Sequence, residues 1–238
     1  MILTKPLALI LITLFSKIAL TTAIGVKKKP HKVLAIGAAN GWSHWNVVEG
    51  LSEGRWSLHY ANLDGFGDTM KHYGFQAAIN QWDSKLSRVV ELLQPSLIVV
   101  CSKGLNVLTH LAKEDVWTGP TVLLSPIPNE SHHCPGDTWE SLWESSMHAL
   151  ATKDVGPVVI GVGSSLDEET LIVDMIEGTQ VCGSIDRSKS PNSFEKCPSW
   201  SLYAFPGNHS WNKNVDNAPN IALLIDKALN ESEIRSIK

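Results

Sequence analysis

"SLIVVCSKGLNVLTHLAK", residues 96–113, joins an apolar run to a helical pattern through Ser102-Lys103-Gly104. The run before the tripeptide has the composition of a strand buried on both faces. After it, Leu105, Leu108 and Ala112 recur at the spacing of one helix face. Ser102 therefore stands at a sharp strand-to-helix turn. A serine there either caps the helix or is held out as a nucleophile, with the next backbone N–H groups able to stabilise an oxyanion. Taken alone, the tripeptide favours the cap.

The same alternation runs along the chain. "KVLAI" (32–36), "SLHYANL" (57–63), "TVLLS" (121–125), "PVVIGV" (157–162) and "WSLYAF" (200–205) are further strand-like runs, six in all with "SLIVV". Between them lie helical patterns: Leu86, Val89, Val90 and Leu93; Trp139, Leu142, Trp143 and Leu150, with Asp137 as an N-cap; and Ile221, Leu224, Ile225 and Ala228. Apolar strands separated by helices predict an α/β fold, a mostly parallel sheet covered by helices on both faces. In such sheets ligands bind beyond the carboxyl ends of the strands. The residues just after each strand are therefore the candidates for chemistry.

With 238 residues, 43% apolar and 18% charged, the chain has the make-up of one ordinary globular domain. A net charge of −4 and no long basic run argue against a nucleic-acid partner. "MILTKPLALILITLFSKIALTTA" (1–23) has the charged, apolar and small-residue order of a secretory signal peptide. Lys17 interrupts its apolar run, which argues against a span of about 20 apolar residues there and leaves an uncleaved anchor as the lesser alternative; once the segment is removed, no stable membrane span is expected. Residues 24–238 would then be a single domain with 18 basic and 24 acidic residues, net −6, in the secretory lumen or outside the cell.

Four cysteines suit an exported chain. Cys182 and Cys197 flank a polar loop without periodicity, and a disulfide between them would stabilise by roughly 3 kcal/mol on the chain-entropy model. Cys101 reads as a buried thiol, and Cys134 has no evident partner. Asn129-Glu-Ser and Asn230-Glu-Ser are candidate glycosylation sites, and Asn208-His-Ser is formally a third.

Beyond the fifth strand-like run comes "GSSLDEET" with Asp167 and Glu168, and beyond the sixth "PGNHSW" with His209. An acid and an imidazole at neighbouring strand ends, in the chain order Ser, acid, His, are the parts needed to orient and activate a serine. Each has a plainer reading alone, Asp167 as a helix cap and His209 as one of nine histidines. Their coincidence with Ser102 at successive strand ends favours the catalytic one.

With these residues in place, the chain resembles the α/β-hydrolase superfamily from about residue 32 to 229. "GAANGWSHWNVVEGLSEGRWSLHYANLDGFGDT" (37–69) is similar to the family's oxyanion loop, following helix and strand, and Gly-rich turn, with Asn62, Gly65, Gly67 and Thr69 in the matching places. "VCSKG" matches the nucleophile elbow. The resemblance implies Ser102 as nucleophile, Asp167 as acid and His209 as base. It also implies oxyanion donors from the backbones of Ala38 and Lys103. Three positions depart from the pattern: Val100 stands where the elbow begins with a small residue, Ile36 where a histidine is common, and Asp167 one residue later than usual, with Glu168 as a substitute.

Residues 127–156, where the family inserts lids, hold one helical pattern, which implies a small lid and an open site. Trp42 and Trp45 are candidates to line it, whereas Trp139 and Trp143 read better as core. No ligand spacing points to a metal, no dinucleotide fingerprint is present, and no cofactor is expected. The expectation is a serine hydrolase acting on an ester or related acyl bond of a small-molecule substrate. The alternative is a non-catalytic binding protein of the same fold.

Overall fold

The turn at Ser102 lies at the centre of one sheet. The computed structural model describes residues 29–37, 44–63, 65–102, 104–126, 139–164, 172–174, 176–177, 182–186, 188, 191–208 and 211–236. Within the unit His31–Lys238, eight strands are described: β1 (His31–Gly37), β2 (Trp56–Asn62), β3 (Leu97–Cys101), β4 (Thr121–Leu124), β5 (Val158–Gly163), β6 (Ile185–Asp186), β7 (Asn192–Phe194) and β8 (Trp200–Phe205). They form a single sheet in the order β2-β1-β3-β4-β5-β8-β7-β6. The six strands from β2 to β8 are parallel, in register Val33 with Leu97, Ile98 with Thr121, Thr121 with Val158 and Val158 with Trp200.

The six apolar runs thus become the six parallel strands. The loop between Cys182 and Cys197, read from sequence as unpatterned, instead holds β6 and β7, which pair antiparallel and extend the sheet from β8. The sheet is therefore mixed at that edge. Strands of two and three residues are too short to show an alternation. The Cys182–Cys197 disulfide, with Cα atoms 4.8 Å apart, closes this hairpin.

Every residue of β3, β4 and β5 is buried, as central parallel strands require. One face is covered by α1 (Trp45–Gly50) and α6 (Ala218–Ser236), which pack Val48, Ile221, Leu224 and Ile225 on Val33, Val99 and Val122. The other is covered by α2 (Phe66–Tyr73), α3 (Phe75–Leu93), α4 (Gly104–Lys113) and α5 (Trp139–Thr152), which pack Phe66, Leu86, Leu108 and Leu150 on Ile98, Val100 and Leu123. Each large aliphatic side chain so buried contributes about 1.5–3 kcal/mol. Helix α3 stops at Gln94, which turns left-handed and donates its N–H to Val90, with Pro95 next. No helix among the described residues is long and apolar enough to cross a membrane.

Candidate functional site

Ser102 follows the last residue of β3 with a left-handed backbone, φ +47°. Its N–H donates to the Leu124 carbonyl at 3.0 Å, carrying the β3–β4 pairing one residue past the strand. Its own carbonyl accepts from the Leu105 N–H at 3.0 Å, so α4 begins at once. A helix N-cap takes extended dihedrals, which Ser102 does not. A left-handed non-glycine residue costs roughly 1–2 kcal/mol. Glu53, Gln94, Asp115 and Asp154 also adopt positive φ, each just after a helix, where that conformation is an ordinary stop. Among the described residues only Ser102 and Ser125 (φ +44°) do so after a strand.

Val100, the departure at the start of the elbow, fits because of its neighbour. A Cβ on Gly104 would lie 3.0 Å from the Val100 Cβ and 3.3 Å from the Ile36 carbonyl oxygen. The first turn of α4 therefore crosses directly over β3, and the space that the turn needs is left by Gly104. The elbow is closed with a buried valine in it.

Strand order places this turn at a junction. From β1 the chain goes to β2 on one side, and β3 lies against β1 on the other. The order 2-1-3-4-5 has its switch point between β1 and β3, where open sheets bind ligands at the carboxyl ends. Ser102 stands at the end of β3, and β1 ends at Gly37, immediately before Ala38. The Tyr60 hydroxyl lies over Gly37, where a Cβ would stand.

Of the site residues expected from sequence, Ala38, Lys103, Asp167, His209 and Asn129 lie outside the described residues, as do Glu168, Trp42 and Cys134. The chain on either side of His209 is held at three points. Gly163, the end of β5, meets it backbone to backbone: a Cβ there would lie 2.5 Å from the Asn208 carbonyl oxygen and 2.6 Å from that of Gly207. The Ser164 N–H also donates to the Phe205 carbonyl at 2.7 Å. Asn212, 1% exposed, donates its Nδ2 to the Cys101 Sγ at 2.8 Å. His44, just before α1, donates its Nε2–H to the Lys213 carbonyl. The described residues flanking His209 are thus tied to Gly163 and Ser164 at the end of β5, to Cys101 before Ser102, and to His44 before α1.

Cys101 is free and buried, as read from sequence. Burial pushes its thiol up to about 12, partly opposed by the Asn212 hydrogen bond and the charge of Lys213. A thiol held neutral is a poor nucleophile. Ser125 is fully buried, and among the described residues its Oγ has no hydrogen-bond partner. Asn230 is exposed on α6. Among the described residues, no group of three His, Cys, Asp or Glu side chains could hold a metal ion.

Sequence reading missed Asn212, His44 and Ser125. Asn212 and His44 act on residues distant in the chain, and Ser125 reads simply as the end of an apolar strand. A cleft of about 630 Å³ between Val90, Pro95, Val116 and Trp117, with Ser87 and Glu91 at its margin, lies at the opposite edge of the sheet. Pro95 and Trp117 precede β3 and β4, so this cleft lies at the amino ends of the strands, away from Ser102.

Fold and edge together define an open α/β protein with a serine turn at its switch point, the architecture that the α/β-hydrolase resemblance implies. Among solved structures the chain is similar to the NocB thioesterase domain, determined as a covalent complex with a fluorophosphonate nocardicin G analogue. The two share 16% identity over 85% of this chain and 95% of that one, with a TM-score of 0.48. No protein-family model matches the chain, and no curated protein matches it.

Proposed function

We propose that this protein is a serine hydrolase of the α/β-hydrolase type, acting on an ester or related acyl bond of a small molecule. The observation that carries the proposal is the left-handed Ser102 at the carboxyl end of β3, beside the sheet's switch point. Strain of this kind collects at active sites and ligand clamps, and Ser102, unlike the fully buried Ser125, keeps part of its surface exposed.

In this reading His209 takes the Ser102 proton as Oγ attacks the acyl carbon, and Asp167 orients the imidazole and stabilises its cation. The tetrahedral oxyanion is held by the backbone N–H groups of Ala38 and Lys103. Collapse expels the leaving group, which takes the proton from His209. Water, deprotonated by His209, then releases the acid and returns Ser102 to its starting state. The three ties on the His209 segment support this arrangement because they bring the flanks of all the candidate residues to one edge. The signal peptide at 1–23, export of 24–238 and glycosylation at Asn129 and Asn230 belong to the same proposal. The Cys182–Cys197 disulfide is consistent with an oxidising compartment. The binding-protein alternative loses one of its two motives, since Val100 is accommodated by Gly104.

A fluorophosphonate probe should label the purified protein at Ser102, and Ser102→Ala should remove both labelling and hydrolysis of p-nitrophenyl acetate. Wild-type protein that is neither labelled nor active across a panel of acyl esters would reverse the conclusion in favour of the binding protein.

A further inference from the structure

The residue that joins the two halves of the proposed machinery is Asn212. It sits in the 3-10 turn Trp211–Lys213, three residues past His209, and contacts Cys101, the residue before Ser102. Asn212 is 1% exposed, yet its carboxamide is poorly served as a structural group. Among the described residues Nδ2 finds only a thiol sulfur, a weak acceptor, and Oδ1 has no hydrogen-bond partner. An apolar side chain of similar volume would fill the same space without a buried unpaired oxygen. The next residue repeats the tie, with the Lys213 carbonyl accepting from His44.

We infer that Asn212 is a positioning residue, which sets the His209 segment against the end of β3 so that imidazole and hydroxyl meet. The inference rests on the serine-hydrolase reading above. Cys101 takes part as the neutral acceptor that fixes where Asn212 can sit. Misplacing a general base by about 1 Å costs on the order of 100-fold in rate while leaving substrate binding largely intact. A positioning role therefore shows in kcat and in Ser102 reactivity, and a merely structural one in the melting temperature alone.

The test uses the full chain, with p-nitrophenyl acetate for kcat and KM and a fluorophosphonate probe for the rate of Ser102 labelling. Asn212→Leu should lower kcat and the labelling rate together by ~10- to 100-fold, with KM within about twofold of wild type and no matching loss of folded protein. Cys101→Ala should fall in the same way, Cys101→Ser should recover most of that loss, and the double variant Cys101→Ala/Asn212→Leu should be no worse than the poorer single one. Wild-type kcat and labelling in Asn212→Leu would overturn the inference, as would losses that only track the unfolded fraction. If Asn212→Leu does not fold, equal kcat in Cys101→Ala and Cys101→Ser overturns it instead. A wild-type protein that resists the probe sinks the hydrolase reading, and this inference with it, whereas a labelled wild type with an indifferent Asn212 sinks the inference alone.

Discussion

Val100 and Gly104 are packed so closely that a Cβ on Gly104 would stand 3.0 Å from the Cβ of Val100. The contact is between a strand and the helix that follows it, so neither partner can retreat by turning a flexible side chain. Gly104→Ala should therefore destabilise the protein by about 1–3 kcal/mol through overpacking, less the small gain in helix propensity. Val100→Ala/Gly104→Ala should recover none of the loss, since alanine keeps the opposing Cβ. Val100→Gly would leave a cavity under α4 and cost about 2–4 kcal/mol without raising activity. Denaturant melts read all three, and an active Val100→Gly variant of an inactive wild type would show that the valine does block the elbow.

Ser102 offers a test in which stability and activity move in opposite directions. Ser102→Gly removes the Cβ penalty at φ +47° and should stabilise the fold by about 1 kcal/mol. Ser102→Ala keeps that backbone penalty and should leave stability near wild type. Both should lose several orders of magnitude in turnover if the hydroxyl is the nucleophile. Calorimetry and single-turnover kinetics on the pair give the answer, and a destabilised Ser102→Gly would contradict the left-handed assignment.

At Gly163 the obstacle to a side chain is backbone on both sides, with carbonyl oxygens of Gly207 and Asn208 at 2.6 and 2.5 Å from the Cβ position. Neither oxygen can swing away without moving the segment that leads into His209. Gly163→Ala should thus lower hydrolysis by about 10-fold or more by displacing the base, beyond any change in melting temperature. Unaltered turnover in a folded Gly163→Ala variant would mean that this segment does not carry the base.

Glu231 on α6 gives a pH signature. Partial burial raises its carboxyl above the ordinary value of 4.5, partly opposed by Lys227 and Arg235. The folded chain then holds that proton more tightly than the unfolded chain. This contribution favours folding at low pH and is lost as pH rises from the ordinary carboxylate value through the raised one. At neutral pH the ionised group is a penalty, so Glu231→Gln should melt higher than wild type at pH 7. The side chain is only partly buried, so the gain should stay below ~1 kcal/mol, and it should vanish below about pH 4. A gain that persisted unchanged at pH 3 would rule out ionisation as its cause.

Much of this architecture was legible in the chain itself. Runs of apolar residues separated by helical patterns mark the six parallel strands, most plainly at β3, β4 and β5, which are buried along their whole length, and least at β2, an edge strand that is only partly buried. The abrupt Ser-Lys-Gly after the third run marked the turn, and the spacing of Cys182 and Cys197 around a polar loop marked the disulfide. These signals are local, each contained in fewer than about 20 residues, and local pattern is what composition and periodicity encode.

The tertiary structure decided what depends on distance in the chain. The φ of +47° that separates a presented serine from a helix cap arises from pairing with Leu124 and from α4 crossing Val100. Val100 itself, an irregularity in the sequence pattern, became ordinary once Gly104 was seen above it. Asn212 reaches back 111 residues to Cys101, and His44 reaches forward 169 residues to Lys213, so no periodicity could have paired them. Sequence determines which segments are apolar enough to form the sheet. Only packing brings the ends of those segments, from opposite parts of the chain, within hydrogen-bond reach at one edge.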